Sequence, residues 1–234
     1  MKKGESNSLV PAKALFKFTC NSCPGSSRCV LTGVNCSESE TAGLNFETVD
    51  YLQSSVIPFE YLKVPGFHII RSGYAMVSIQ GEDQKIVRIA GPGDIIGFCS
   101  QKYPEINSTA LSDLSTCFVG VAAFQNFLQN SPQLNLNLIE YMCAEHRKNT
   151  GRIAGLAHHS VKHRVKNMLL ELARDFGKPS PFGVKIDVKM SRKIMAKLCG
   201  AVTETLARVL TELEKEHFIV REKWNIHLVT PARR

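Results

Sequence analysis

The 234-residue sequence predicts an α+β chain made of an N-terminal cysteine-rich loop, an antiparallel β-roll, one long helix and a C-terminal winged helix-turn-helix. Three observations carry this. Cys20, Cys23 and Cys29 crowd into one segment with C-x2-C-x5-C spacing, and Cys36 follows. Short β-prone runs punctuated by turn residues fill 56–121. A basic C-terminal stretch holds two short amphipathic helices around Gly200.

The first unit is the loop, 1–36. Thiols this close in sequence either bridge to each other or hold a metal. The N-terminus is basic but has no continuous apolar core, so it does not read as a secretory signal. No apolar run approaches the roughly 18–20 residues of a membrane span. The expectation is a cytoplasmic chain, whose thiols stay reduced and hold metal more often than they form disulfides. Cys99, Cys117, Cys143 and Cys199 are isolated in apolar settings and read by default as small buried hydrophobes.

The second unit, 37–131, is a sensor domain. Its start, 37–55, reads as a short amphipathic helix, capped by Ser/Thr and acidic in its first turn. Strands are predicted at 67–71, 74–80, 85–90, 94–98 and 116–121, between turns at Pro65-Gly66, Ser72-Gly73, Gly81-Glu82-Asp83 and Gly91-Pro92-Gly93. Short strands with regular turns argue for an antiparallel barrel or roll. A short helix beginning near Ala122 closes the domain at Ser131-Pro132.

The third unit, 132–160, is a long helix with Leu134, Leu138 and Met142 on one stripe and Ile153, Leu156 and Ser160 on another. Gly151 and Gly155 each weaken it by about 1 kcal/mol relative to Ala. A narrow apolar stripe buries itself against a second helix or against the chain's own roll. Ile153, Leu156 and Ser160 are the candidate dimer interface.

The fourth unit, 161–234, opens with an amphipathic helix over 161–176 carrying Val165, Met168, Leu169 and Leu172, followed by a loop and a strand from Val184. Ser191 caps a helix running to Leu198. Gly200 sits where the tight turn needs a residue tolerant of positive φ. Thr203 then caps a helix with Leu206, Val209, Leu210 and Leu213 on its inner stripe. Thr203, Glu204, Thr205 and Arg208 stand near its N-terminus, where such helices reach base edges. Glu accepts from cytosine N4, and Arg binds guanine O6 and N7 together. The plain alternative is an i,i+4 surface ion pair worth tenths of a kcal/mol. A hairpin or wing follows. Charge supports a nucleic-acid partner: 159–234 hold 16 Lys+Arg against 8 Asp+Glu, whereas 1–158 hold 13 of each.

In this order of units, I-I-R-S-G-Y (69–74), G-P-G-D-I-I-G-F (91–98) and C-G-A-V-T-E-T-L-A-R-V-L (199–210) resemble motifs of the Crp/Fnr family of transcription regulators, over nearly the whole chain. The resemblance implies a cupin-like roll, a dimerisation helix and a DNA-binding winged helix-turn-helix. The cysteine spacing is similar to the oxygen-sensing Fnr branch. That branch holds a [4Fe–4S] cluster on three such cysteines and a fourth from the roll, which matches Cys117 by position. Cys36 is the local rival. The usual early barrel turn is hard to find within 56–68. Ala207 stands where the Fnr branch often has Ser, and Thr203 where the cyclic-AMP branch has Arg.

The resemblance implies a homodimer on a pseudo-palindromic DNA site, RNA polymerase as a further partner, and a cluster answering to oxygen or nitric oxide. No cyclic nucleotide is expected, because 97–113 contain no arginine to bind its phosphate. Two alternatives keep the DNA binding: a structural zinc site, although only Cys20/Cys23 form a Cys-x2-Cys pair, and a thiol–disulfide switch. An enzyme is not expected. His159 and His163, four apart, lack the Glu of a hydrolase metal motif, and no catalytic constellation or phosphate-binding loop is present.

Overall fold

The computed structural model describes Cys23 and residues 25–33, 47–81, 84–97 and 106–229. Cys20, Cys36 and Cys99 lie outside the described residues. The roll comprises β1 (Glu47–Tyr51), β2 (Val56–Ile57), β3 (Glu60–Tyr61), β4 (Val64–Ser72), β5 (Ala75–Ile79), β6 (Lys85–Ala90), β7 (Ile95–Ile96), β8 (Ile106–Ala110) and β9 (Leu114–Gly120). One antiparallel sheet has the order β1-β9-β4-β3 with β7 added on β4, and the other runs β2-β8-β5-β6.

Strand alternation divides the roll's contacts between two cores. Ile70, Leu114 and Phe118 face inward with Val49, Tyr51, Ala75 and Val77. Phe67, Ile69 and Val119 face outward, onto a second cluster with Val30, Leu31, Phe124, Phe127 and Leu134. Inside the roll, fully buried His68 places Nδ1 2.9 Å from Thr116 Oγ1 and Nε2 3.1 Å from the Pro58 carbonyl.

Two expectations for this domain are corrected. Residues 47–51 are a strand, not part of a helix. Val49 and Tyr51 alternate inward, and every residue of the segment is in register with one of β9. Strand β8, in the polar stretch I-N-S-T-A, was not anticipated.

Helix α1 (Val121–Asn130) leads into α2 (Pro132–His158). Ser131 Oγ accepts from the Leu134 amide, and Pro132 occupies the first turn, where its missing N–H costs nothing. Leu134 is buried and Leu138 packs on the outer cluster, whereas Met142 is 55% exposed. Each four-residue step overshoots a turn of 3.6 residues, so this stripe drifts off the roll. The helix runs unbroken through Gly151 and Gly155.

Helix α3 (Val161–Phe176) starts at the Ser160 cap and buries Val165, Met168, Leu169, Leu172 and Phe176. Beyond it lie β10 (Gly177–Ser180), β11 (Gly183–Ile186), α4 (Arg192–Leu198), α5 (Thr203–Lys215), β12 (Ile219–Glu222) and β13 (Asn225–Val229). The expected loop after Phe176 is therefore a hairpin. Pro179 is tolerated because β10 is an edge strand of the sheet β10-β11-β13-β12. The core of this C-terminal half continues onto Met76, Ile86 and Ile89 of the roll, so the two halves share one apolar contact. No helix among the described residues is long and apolar enough to cross a membrane.

Candidate nucleic-acid interface and thiol site

Helices α4 and α5 form the expected helix-turn-helix. Ser191 Oγ accepts from the Ile194 amide at 3.2 Å, and Gly200 has φ +59°. The turn is braced from behind by Arg164 on α3. Its guanidinium donates to the carbonyls of Cys199 (2.8 Å) and Gly200 (3.1 Å), and to that of His159 (2.8 Å) at the end of α2. Leu206, Val209, Leu210 and Leu213 are buried as the periodicity requires. Thr203 is the first helical residue and not the cap. Val202 holds the cap position, and no side chain bonds there.

Glu204 and Arg208 are exposed, with Thr203 and Thr205 half-buried beside them. Among the described residues Glu204 and Arg208 form no ion pair with each other, so the plain surface-pair alternative is not realised. The other end of α5 is anchored instead. Lys162 and Lys166 pair with Glu216, and Arg221 pairs with Glu214. At the tip of the β12–β13 wing, Lys223 has φ +54° and Trp224 is 84% exposed.

The loop 25–33 is pinned to the long helix. Asn137 Nδ2 donates to the carbonyls of Val30 (2.8 Å) and Thr32 (2.9 Å). Val30 and Leu31 sink into the outer cluster, and half-buried Cys29 and Cys117 both pack on its margin. The structure thus brings two predicted thiols, 88 residues apart in sequence, to one apolar patch. Burial pushes the Cys29 thiol up to about 11, with nearby Cys23 adding to the rise and the Leu31 amide opposing it. Cys29 also lines a cleft of about 920 Å³ between the loop, α2 and α3.

Among the described residues no three His, Cys, Asp or Glu side chains gather closely enough to hold a metal ion. Cys20, the remaining member of the spacing motif, lies outside them. The donors that are described are thiols at the edge of an apolar cluster, the ligand chemistry that soft metals and iron–sulfur groups require. The residues present fit such a group in chemistry.

Of the isolated cysteines, Cys199 is buried, with Sγ 3.2 Å from Met168 Sδ, and burial lifts its thiol to about 12. Cys143 departs from expectation, being exposed on α2. The His159 and His163 rings lie against each other tilted by 47°, with centroids 4.1 Å apart.

The candidate dimer residues lie apart in role. Ile153 (68%) and Leu156 (56%) are exposed, while the Ser160 hydroxyl caps α3 by accepting from the His163 amide. A wider exposed stripe was missed: Leu136, Ile139, Cys143, His146, Thr150, Ile153 and Ala157, at alternating steps of three and four. That heptad spacing was the available signal. The bonds made by Asn137 and Arg164 had no local signature.

Residues 163–233 match the family model of a Crp-like helix-turn-helix domain. The global nitrogen regulator of Synechocystis sp. is 27% identical over 126 residues, 54% of this chain and 56% of that protein. The transcriptional activator Anr of Pseudomonas protegens is 24% identical over 205 residues, covering 80% and 83%. The structure of FixK2 from Bradyrhizobium japonicum superposes with a TM-score of 0.68 at 20% identity, covering 79% of this chain and 93% of that one. The matched region spans little more than half the length of the nitrogen regulator. Of these relatives, one is named a global nitrogen regulator and the other a transcriptional activator.

Proposed function

From a chain that carries a Crp-like helix-turn-helix domain on a Crp/Fnr-like fold, we propose a DNA-binding transcription regulator whose N-terminal thiols set its affinity. The observation that carries the DNA-binding reading is the N-terminal turn of α5. Glu204 and Arg208 stand there exposed and unpaired among the described residues, on a helix whose opposite stripe is fully buried. Arg208 takes guanine O6 and N7, Glu204 accepts from cytosine, and Thr203 and Thr205 meet phosphate or flanking bases. The exposed heptad stripe of α2 pairs two copies, which sets two α5 helices about one DNA turn apart on a pseudo-palindrome.

Cys20, Cys23 and Cys29, with Cys117 as fourth ligand, would hold a [4Fe–4S] cluster. The support is that Cys29 and Cys117 share one apolar patch, which binds the loop to the body of the roll. When bound, such a cluster supplies a group that oxygen or nitric oxide destroys. The chain's own residues do the rest. Asn137 and the Val30–Leu31 pair hold the loop against α2, and loss of that order loosens the helix that pairs the copies. A coupling of about 1–3 kcal/mol is enough for a switch. The second reading, zinc on the same thiols with Cys36 completing a local site, would hold only the loop.

The test is anaerobic purification, a visible spectrum with iron and sulfide analysis, and DNA binding before and after air. A brown protein with about four irons per chain whose DNA affinity falls on bleaching supports the reading. A colourless protein holding zinc or nothing overturns the cluster, and DNA binding that survives Arg208→Ala unchanged overturns the interface.

A further inference from the structure

We infer that Arg28 and the 91–94 turn form a joint through which the thiol loop holds the DNA-binding half of the chain. This rests on the regulator reading above and assigns a route by which the loop reaches the helix-turn-helix directly, besides the dimer helix.

The turn Gly91-Pro92-Gly93-Asp94 is packed on two sides. On one side lies the loop. Gly93 has φ +90°, and a Cβ on it would come 2.7 Å from Arg28 Cβ. A Cβ on Gly25 would come 2.7 Å from the Gly93 nitrogen and 3.0 Å from the Ile70 carbonyl, so backbone lies directly on backbone. On the other side lies the end of α3. A Cβ on Gly91 would come 2.4 Å from Cε1 of Phe176. Only glycine permits either approach.

Arg28 spans both sides. One guanidinium nitrogen meets Asp94 Oδ1 at 3.1 Å, the other donates to the Asp175 carbonyl at 3.0 Å, and the group lies 5.5 Å from the centre of the Phe176 ring. Asp94, 3% exposed, also accepts from the Gly91 amide at 2.8 Å and faces Arg88 at 3.9 Å. The Asp175 carboxylate takes Lys148 of the long helix at 2.9 Å, Arg174 at 3.2 Å and Arg28 at 4.0 Å. Loop, roll, long helix and α3 therefore converge on one partly buried charge cluster, where bonds to charged groups are stronger than at the surface.

Arg28 is the residue immediately before Cys29, so a change at that thiol moves the guanidinium. Phe176 belongs to the same core as Leu206 and Leu210 of α5, and its carbonyl accepts from the Asp187 amide at 3.0 Å. Displacing Arg28 releases the end of α3 and, through that core, the footing of the recognition helix. Arg28 is a positioning residue: it supplies no thiol and lies outside the helix-turn-helix.

The experiment compares full-length wild type, Arg28→Ala and Arg28→Lys, purified anaerobically. Amide hydrogen exchange is followed across 174–187, and DNA affinity is read before and after cluster removal. In Arg28→Ala the expected result is an unchanged visible spectrum, exchange across 174–187 several-fold faster, and a response of DNA affinity to cluster loss reduced to within about twofold. Arg28→Lys keeps the charge but loses the forked contact, and gives an intermediate response. An Arg28→Ala protein with wild-type exchange and a wild-type response overturns the joint. If wild type itself carries no cluster, the cluster reading falls separately and the exchange comparison alone decides. Faster exchange at 174–187 then upholds the joint, and unchanged exchange rejects it.

Discussion

Leu156 of the long helix lies over Gly200 at the turn of the helix-turn-helix, so close that a Cβ on the glycine would come 2.8 Å from Leu156 Cδ2. The two residues are 44 apart in sequence, and their contact sets the end of α2 against the helix-turn-helix.

Gly200→Ala should therefore cost twice. The left-handed backbone (φ +59°) costs about 1–2 kcal/mol for a residue with a Cβ, and the contact adds to it. A urea-melt comparison with Leu156→Ala and the double variant separates the two. The double variant should regain the contact part and keep the backbone part. A fully additive pair would show that Leu156 does not press on the turn.

Ile153→Glu should dissociate the dimer without unfolding the chain, because Ile153 is 68% exposed on α2. Sedimentation equilibrium should show monomer at micromolar concentration, with DNA affinity lowered by at least tenfold. A variant that remains dimeric would place the interface elsewhere.

Arg208→Ala should lose about 1–3 kcal/mol of binding, mostly by relaxing discrimination at one base pair. Lys223→Ala, at the wing tip, should weaken all sequences alike and lower the salt slope by about one. Anisotropy titrations on matched and mismatched duplexes at several salt concentrations distinguish these two patterns.

Burial lowers the His68 pKa from 6.5 to about 4, against a smaller opposing effect of the Pro58 carbonyl. The unfolded chain then binds the extra proton between these values, so stability rises with pH across that window. The contribution is full above 6.5 and lost as pH falls toward 4. It amounts to roughly 3 kcal/mol. Urea melts from pH 4 to 7 should show a shallower slope in His68→Gln than in wild type. Parallel slopes would mean that His68 is already charged in the fold.

Much of this was legible in the sequence where one local pattern had one meaning. Helix α3 runs Val161–Phe176 as its periodicity and the Gly177 that follows imply, whereas Ser160, read as part of the dimer stripe, is its cap. Gly200, Ser191 and the buried stripe of α5 behave likewise. The misses share a physical cause, which is that a neighbour outweighed local preference. E-T-V-D-Y reads as part of a helix until β9 pairs with it, and I-N-S-T-A is too polar to look like a strand until β5 does. Lys178-Pro179-Ser180 reads as a loop because its ladder is made by β11 alone. At the thiol site, spacing marked Cys20, Cys23 and Cys29. The bonds that fasten their loop, Arg28 to Asp175 and Asn137 to Val30, join residues more than 100 positions apart and leave no local trace.

Strand β9 has one further consequence, for the fidelity of folding. Thr116 donates to the Val49 carbonyl and sits against His68 inside the roll, and its neighbour Cys117 packs on the opposite face, against the outer cluster. A slip of one residue in this strand would exchange the two faces, stranding the hydroxyl outside and turning the thiol into the interior. The hidden hydrogen bonds thus act as a proofreader for an outward-facing sulfur, so that a chain with its roll out of register cannot present Cys117 to the outer cluster at all.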